Sequence, residues 1–295
     1  MVSPMQKRNA VEHVVGMGIG SHHRACRVMG LARSSAYYRS KPGAERLRQE
    51  GLIEEVSREN PVYGYRKVTA LLRQSGEAMN GKRVARIRRQ RGLLASRRPG
   101  KRHRVSPQNS KRQRASRPNE VWSYDFVEDA TVRGRRLRIL SVIDEYTREC
   151  LLLRAASSYP ARRVLDSLEE ILVCSGRKPE NVRSDNGPEF VAKRVQQWAE
   201  TGRVGLRYIK PGSPWENGNV ESFHASLRAE LLDRELFISV AEANAMLTAW
   251  RKEYNFKRPH GSLGYRTPAD AAKRELPLRA TPCAPVHAGN PTLNQ

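Results

Sequence analysis

The sequence predicts a mixed α/β protein, with an all-helical N-terminal part followed by a five-stranded mixed sheet wrapped in helices. Three observations predict it. Charge is divided unevenly over the 295 residues: 1–118 hold 28 Lys/Arg against 7 Asp/Glu, whereas 119–295 hold 26 against 23. Apolar residues recur at helical spacing before residue 95, then change to strand-length and alternating runs after Asn119. Between the two lies Ser96–Pro118, with nine Lys/Arg, three Pro and almost no large apolar residue. Such a segment cannot bury enough surface to offset its ordering entropy, so it reads as an extended linker. It is either a solvated tether or a segment that orders along a polyanion.

In the N-terminal part, amphipathic stretches lie at Met5–Val15, His22–Met29 and Arg33–Arg39. Ser21 is placed to cap the second and Gly30 to stop it. This is the layout of a helix-turn-helix over 1–42, with Ser34, Ser35, Tyr37, Tyr38 and Arg39 on the would-be recognition helix. A second helical block over 43–95 has helices at Ala44–Arg58, Tyr65–Gln74 and Lys82–Arg91. The last carries a narrow apolar stripe, Val84 and Ile87, surrounded by Lys82, Arg83, Arg86, Arg88, Arg89 and Arg91. Six cations without an acid repel one another unless phosphates neutralise them, which favours contact with nucleic acid over a merely solvated face.

After Asn119, Val121–Val127 alternates as a strand, with Trp122, Tyr124 and Phe126 on one face. Leu137–Ile143 and Cys150–Ala155 are two further strands joined by short turns. Pro160–Cys174 is helical through Val164, Leu168 and Ile171. Asn181–Asp185 and Gly205–Lys210 are short strands flanking a helix at Glu189–Glu200. Helices at Glu216–Leu232 and Val240–Tyr254 close a core spanning 119–275, and 276–295 reads as a disordered tail. Three strands able to form a meander, then helix, strand, helix, strand, is the order of a ribonuclease H-like fold.

A net charge of +24 and pI near 10.6 imply a polyanionic partner, nucleic acid ahead of an anionic membrane surface. No apolar run exceeds four residues, which excludes a membrane span. The first twenty residues carry Glu12, His13 and scattered glycines in place of a signal-peptide block. Cys26, Cys150, Cys174 and Cys283 form no C-x-x-C pair, so neither a disulfide framework nor a structural zinc is expected, and a cytoplasmic, nucleoid-associated location fits.

The chemistry concentrates in three acids. Asp125 stands mid-strand among aromatic residues, a poor place for a solubilising charge. Asp185 ends a short strand and runs into Asn186-Gly187-Pro188, a sharp exit at the sheet's carboxyl edge. Glu221 lies near the start of a helix with His224 and Arg228 at i+3 and i+7, on one face. Carboxylates from separate segments converging on one point are what two-metal phosphoryl transfer needs, with ions about 3.5–4 Å apart flanking a phosphate.

The strings VWSYDFVED (121–129), SDNGPEF (184–190) and PGSPWENGNVESFHASLRAELL (211–232) closely resemble the catalytic core of bacterial insertion-sequence transposases, insertion sequence family three, within the retroviral-integrase superfamily. Thirty-five residues separate Asp185 from Glu221, and a basic residue, Arg228, follows seven positions after the Glu, both as in that family. PVYGYRKVTALLRQSG (61–76) and YNFKRPHGSLGYRTPAD (254–270) are similar to the family as well, and the resemblance spans about Gly16–Ala272. It implies that Asp125, Asp185 and Glu221 hold two Mg²⁺ or Mn²⁺ ions and that Arg228 contacts DNA near the cleaved phosphate. It also implies that Asn186 helps to shape the turn at the second Asp beside DNA, and that 16–39 and 64–92 bind transposon-end DNA.

One departure is His224-Ala225 where the family usually shows Asn-Gly; His224 either replaces the Asn contact or weakens the site. The implied activity is nicking at the element's ends followed by strand transfer, on double-stranded terminal-repeat and target DNA, by a homo-oligomer. The chain resembles the family's downstream reading-frame product, so an upstream-frame product is a possible partner. The competing readings are a structure-selective nuclease of the same fold and a non-catalytic helix-turn-helix regulator. A tyrosine recombinase is disfavoured, and the Cys/His spacing does not complete a retroviral-type zinc module.

Overall fold

The computed structural model describes residues 3–38, 43–95, 114–185, 187, 192–209 and 217–275. Most of the basic linker, the tail at 276–295, the start of the helix expected from Glu189, Arg39 and Asn186 lie outside the described residues. The chain forms two compact units that divide between Leu52 and Ile53.

The first unit is a small helical bundle. Helix α1 (Pro4–Gly16) starts with a capping box between Ser3 and Gln6 and a proline in its first turn. Helix α2 (His22–Val28) is capped by Ser21, which accepts from the Arg24 amide, and Gly30 turns the chain at φ 57°. Helix α3 (Arg33–Tyr37) is shorter than the sequence suggests. Val11, Ala25 and Cys26 form the core, backed by Val14, Val15, Met29, Leu31 and Ala36. Ser34, Ser35 and Tyr37 are exposed, and the Tyr37 ring stacks on His22 at 4.3 Å. Helix α4 (Ala44–Glu59) runs across the division.

The second unit opens with helices α5 (Tyr65–Gln74) and α6 (Gly81–Gln90). Asn80 caps α6 by accepting from the Lys82 amide at 2.9 Å. Val68 and Leu72 of α5 and Val84 and Ile87 of α6 are buried. One expectation needs correcting here. Of the cations assigned to DNA, Lys82, Arg86 and Arg89 are exposed and Arg83 is half-buried, but Arg88 is buried. It lies one helical turn after Val84 on the inward face, and its Nε donates to the Leu93 carbonyl at 3.0 Å, tying off the chain beyond the helix. Arg88 therefore belongs to the fold, not to a DNA-facing surface.

The sheet has the order β3-β2-β1-β4-β5. Strands β1 (Val121–Ala130), β2 (Arg136–Asp144) and β3 (Cys150–Ala156) form the antiparallel meander, while β4 (Asn181–Ser184) lies parallel to β1 and β5 (Gly205–Tyr208) parallel to β4. Residue parity sorts the two faces. Trp122, Tyr124, Leu140, Val142 and Val182 pack with Val164, Leu168 and Ile171 of α7 (Ala161–Ser175), and Trp198 of α8 (Lys193–Gly202) joins them. Val127, Leu137 and Ile139 pack on the other face against Val220, Phe223 and Leu227 of α9 (Gly218–Leu227) and Leu247, Trp250 and Tyr254 of α10 (Val240–Phe256). Each such side chain contributes about 1.5–3 kcal/mol. The single helix expected over 216–232 is instead α9 followed by a π-helical turn, Arg228–Leu232. A last helix, α11 (Pro268–Glu275), was not foreseen.

Helix α10 also closes the sheet's outer edge. Asn255 donates to the Cys150 carbonyl and accepts from its amide, both at 2.9 Å, and Asn244 does the same for Ala155 at 3.0 and 2.8 Å. The two side chains act as a substitute strand for β3, blunting an edge that would otherwise pair with another chain. No described helix is long and apolar enough to cross a membrane.

Residues 53–95 share one compact unit with the sheet, and a buried ion network joins them. Arg258 meets Glu230 of the π-turn at 2.7–3.0 Å and donates to Ser226 Oγ at 2.8 Å. Lys67 of α5 lies 3.8 Å from the same carboxylate and 4.7 Å from the Tyr63 ring centre. Burial, then the charge of Arg258, lowers the Lys67 pKa to about 8. Next to them, burial followed by the charges of Arg258 and Lys67 lowers that of His260 to about 3.

Candidate active site

Strands β1 and β4 bring the first two acids together. Their parallel pairing sets Trp122 beside Val182 and Ser123 beside Arg183; carried two residues on, the same register puts Asp125 next to Asp185. Neighbouring strands run about 5 Å apart. Both aspartates have the parity of Val127, whose side of the sheet faces α9, and α9 carries Glu221 in its first turn. Two residues earlier on the same face, Glu145 accepts from Arg183 at 2.7 and 2.9 Å and from the Ser123 hydroxyl. This buried clasp locks the β1–β4 register on which the approach of the aspartates depends.

Asp125 is largely buried, and its pKa is pushed up to about 6. Burial is the largest cause, and the negative charges of Asp185 and Glu221 push the same way. Opposing them, the Phe126 amide donates to Oδ1 at 2.7 Å and Asn217 Nδ2 donates to Oδ2 at 3.0 Å. Asp185 is exposed, and its Oδ1 accepts from the Gly187 amide at 3.1 Å, closing the turn that leaves the sheet. Among the described residues no three acids or imidazoles are close enough to form a ready metal cage.

Asn217 was not singled out from the sequence, although it sits in the Glu-Asn-Gly that precedes α9. It is 7% exposed, and its Oδ1 is a buried acceptor without a hydrogen-bond partner. The Asp125 carboxylate beside that orphaned amide oxygen, with Asp185 and Glu221 acting on it, supplies hard oxygens, the donors a divalent cation such as Mg²⁺ prefers. The residues present fit such an ion.

His224 turns away from the position expected of a DNA contact. Its ring is largely buried, with Nε2 2.8 Å from Ser141 Oγ, and the Ser141 hydroxyl donates to the Asp125 carbonyl at 3.1 Å. With that proton committed, the imidazole is the donor to Ser141. Its pKa is lowered to about 4 by burial, then by Arg228, so it stays neutral. Ser141 is the cross-strand partner of Asp125; His224 thus braces β1 at the first aspartate. Arg228, at the start of the π-turn, donates from Nη2 to the Glu128 carbonyl at 2.9 Å, three residues along β1 from Asp125. The charges of Asp185 and Glu221 both act on Asp125, and Arg228 bonds to β1 three residues beyond it; Lys82, Arg83, Arg86 and Arg89 lie on α6, and Ser34, Ser35 and Tyr37 belong to the first unit.

Comparison with known proteins agrees with this architecture. Residues 115–214 and 202–268 match the integrase core domain family, and 44–102 match the HTH-like domain family. The 31.7 kDa protein of insertion element IS407 from Burkholderia multivorans is 38% identical over 266 residues, covering 90% of this chain and 94% of that protein. The transposase InsD of insertion element IS2 from Escherichia coli is 32% identical over 243 residues, covering 74% of this chain and 76% of its own. A solved catalytic core domain of HTLV-2 integrase in complex with magnesium covers 54% of this chain and 99% of its own, with 16% identity and a TM-score of 0.42. On the strength of its sequence relatives, the chain belongs to the insertion-element transposases that combine an HTH-like domain with an integrase core domain.

Proposed function

We propose that this protein cleaves DNA at the ends of its insertion element and joins them to a target, with Asp125, Asp185 and Glu221 as the ligands of two divalent ions. The observation that carries the reading is the parallel β1–β4 register, which in continuation sets Asp125 beside Asp185 on the face of the sheet that packs against the helix bearing Glu221. When bound, the ions would supply charge stabilisation for the attacking and leaving oxygens of an in-line displacement. The chain's own part is geometric. The β1–β4 register spaces the aspartates, α9 brings Glu221 over them, and the Phe126 amide with Asn217 fixes the Asp125 carboxylate.

Hydrolytic nicking and strand transfer suit one such site because they differ only in the nucleophile, water in the first and a 3′-hydroxyl in the second. Arg228 is the cation placed to meet a phosphate beside the site. Double-stranded terminal repeats and target DNA are the substrates, and joining two ends calls for more than one copy of the chain. Its place of action is then the cytoplasm, on the nucleoid.

The test is a cleavage and strand-transfer assay on terminal-repeat DNA with Mg²⁺, comparing the native chain with Asp125→Asn, Asp185→Asn and Glu221→Gln. Loss of both steps in each variant is expected. Activity retained in all three overturns the assignment, and cutting without joining by the native chain points to a nuclease instead.

A further inference from the structure

The two sequence motifs left without a role by the triad, 61–76 and 254–270, meet in space. Between α5, the start of α6 and the segment 264–270 lies a cleft of about 630 Å³. Its walls include Tyr65, Arg66 and Arg73 from one motif and Tyr265, Arg266 and Asp270 from the other. The charge balance is three arginines to one acid, and that acid is already engaged by the Thr267 hydroxyl at 2.7 Å.

The cleft is built rather than incidental. Arg73 donates from Nε and Nη2 to the Met79 carbonyl at 3.1 and 3.0 Å, fixing the α5–α6 turn that forms one wall. The opposite wall is a tight loop in which His260 and Arg266 pair and the Tyr265 amide donates to the His260 carbonyl at 2.8 Å. Tyr265 is held at φ 65°, a left-handed conformation that disfavours a bulky residue. Gln74 of α5 reaches its carbonyl at 3.4 Å, joining the walls. Arg66 is exposed; its Nε lies 3.3 Å from the Tyr65 hydroxyl, and the Tyr265 hydroxyl is also within its reach. Tyr65 is 40% exposed, with the Arg66 guanidinium over its ring 5.8 Å from the centre.

An exposed aromatic next to arginines, in a cavity the size of a small ligand, is the chemistry that holds a nucleotide by stacking and by its phosphate. A duplex cannot rest a base on Tyr65, because its bases are already stacked on both faces. We infer that this cleft binds an unpaired stretch of DNA strand, a base resting on Tyr65 and its phosphate on Arg66 and Arg266. The inference extends the proposed function by adding a place where a DNA strand separated from its partner is held away from the triad.

The test uses the full chain with divalent ions chelated, so that its outcome does not depend on the triad's chemistry, which the cleavage assay reads separately. Fluorescence anisotropy measures affinity for a short labelled oligothymidylate and for a duplex at one fixed salt concentration. Tyr65→Ala is expected to weaken oligothymidylate binding about tenfold and duplex binding by a distinctly smaller factor. Arg66→Ala should weaken oligothymidylate binding as well, and Tyr65→Phe, which keeps the ring, should bind as the native chain does. Equal losses on both DNAs, no loss on oligothymidylate, or a Tyr65→Phe defect as large as that of Tyr65→Ala overturns the inference.

Discussion

Two groups of carboxylates in this molecule are treated in opposite ways. Glu230 and Glu145 are buried and fully answered, the first by Arg258 with Lys67 nearby, the second by Arg183 and Ser123. On the Asp125 carboxylate, by contrast, only neutral amide donors are seen, and the charges of Asp185 and Glu221 act against its ionisation. Where charges are paired, the carboxylate joins segments of the chain. Where an acid is buried near others of like charge without an ion-pair partner, the fold tolerates a cost that a proton or a bound cation would remove.

Substituting one acid from each kind of site sharpens the contrast. Asp125→Asn is expected to lower cleavage by about 10³-fold or more while raising stability by about 1 kcal/mol, since a buried charge, and with it the repulsion from Asp185 and Glu221, disappears. Asn217 can rotate its amide to accept from the new side chain. Gel-based cleavage and a denaturant melt measured on the same sample would check both halves; a variant that loses stability along with activity breaks the comparison. Arg258→Ala should do the reverse. It strands Glu230 inside the fold and should cost about 3–5 kcal/mol in denaturant unfolding, with cleavage falling only as far as the folded fraction does.

The paired network also predicts a pH effect. His260 binds its proton more weakly in the folded chain, at about pH 3, than at its ordinary value of 6.5. Unfolding therefore takes up a proton in that window, and stability that is complete above pH 6.5 is lost as pH falls towards 3. Acid titration of the unfolding free energy should show a loss of about 2–4 kcal/mol from this group, and His260→Gln should flatten that part of the curve. The smallest expected effect separates the two kinds of cation on α6. Arg86→Ala should reduce the salt slope of DNA binding by about one unit, whereas Arg88→Ala, its side chain turned inward, should leave the slope unchanged and lower stability instead.

Much of the site was legible because it rests on short-range rules. Alternation along 121–127 gives the strand and its two faces, the sharp exit after Asp185 gives a sheet edge, and Glu221 as the third acid comes from the family resemblance and its thirty-five-residue spacing. The five strands and their order follow from turn signals and run length. Charge alone does not separate Arg88 from the other cations around α6. Its i+4 relation to Val84 already placed it on the apolar stripe. The Asn244 and Asn255 contacts to β3, the Glu145 clasp and the Lys67–Glu230–Arg258 network join positions far apart in the chain. No local periodicity reports such pairings. His224 belongs with them: helical spacing placed it on the face of Glu221, but only the tertiary fold shows it bonded to Ser141.

The parallel pairing of β1 with β4 has a consequence for how such a chain can vary in length. Paired residues differ by sixty positions, and everything between them is the rest of the meander, α7 and their turns. A loop insertion there would change the number of residues between the two aspartates without moving either in space. A slip of one residue in the short β4 would instead turn Asp185 to the opposite face of the sheet. Loop length in this part of the chain is free, and strand register is not.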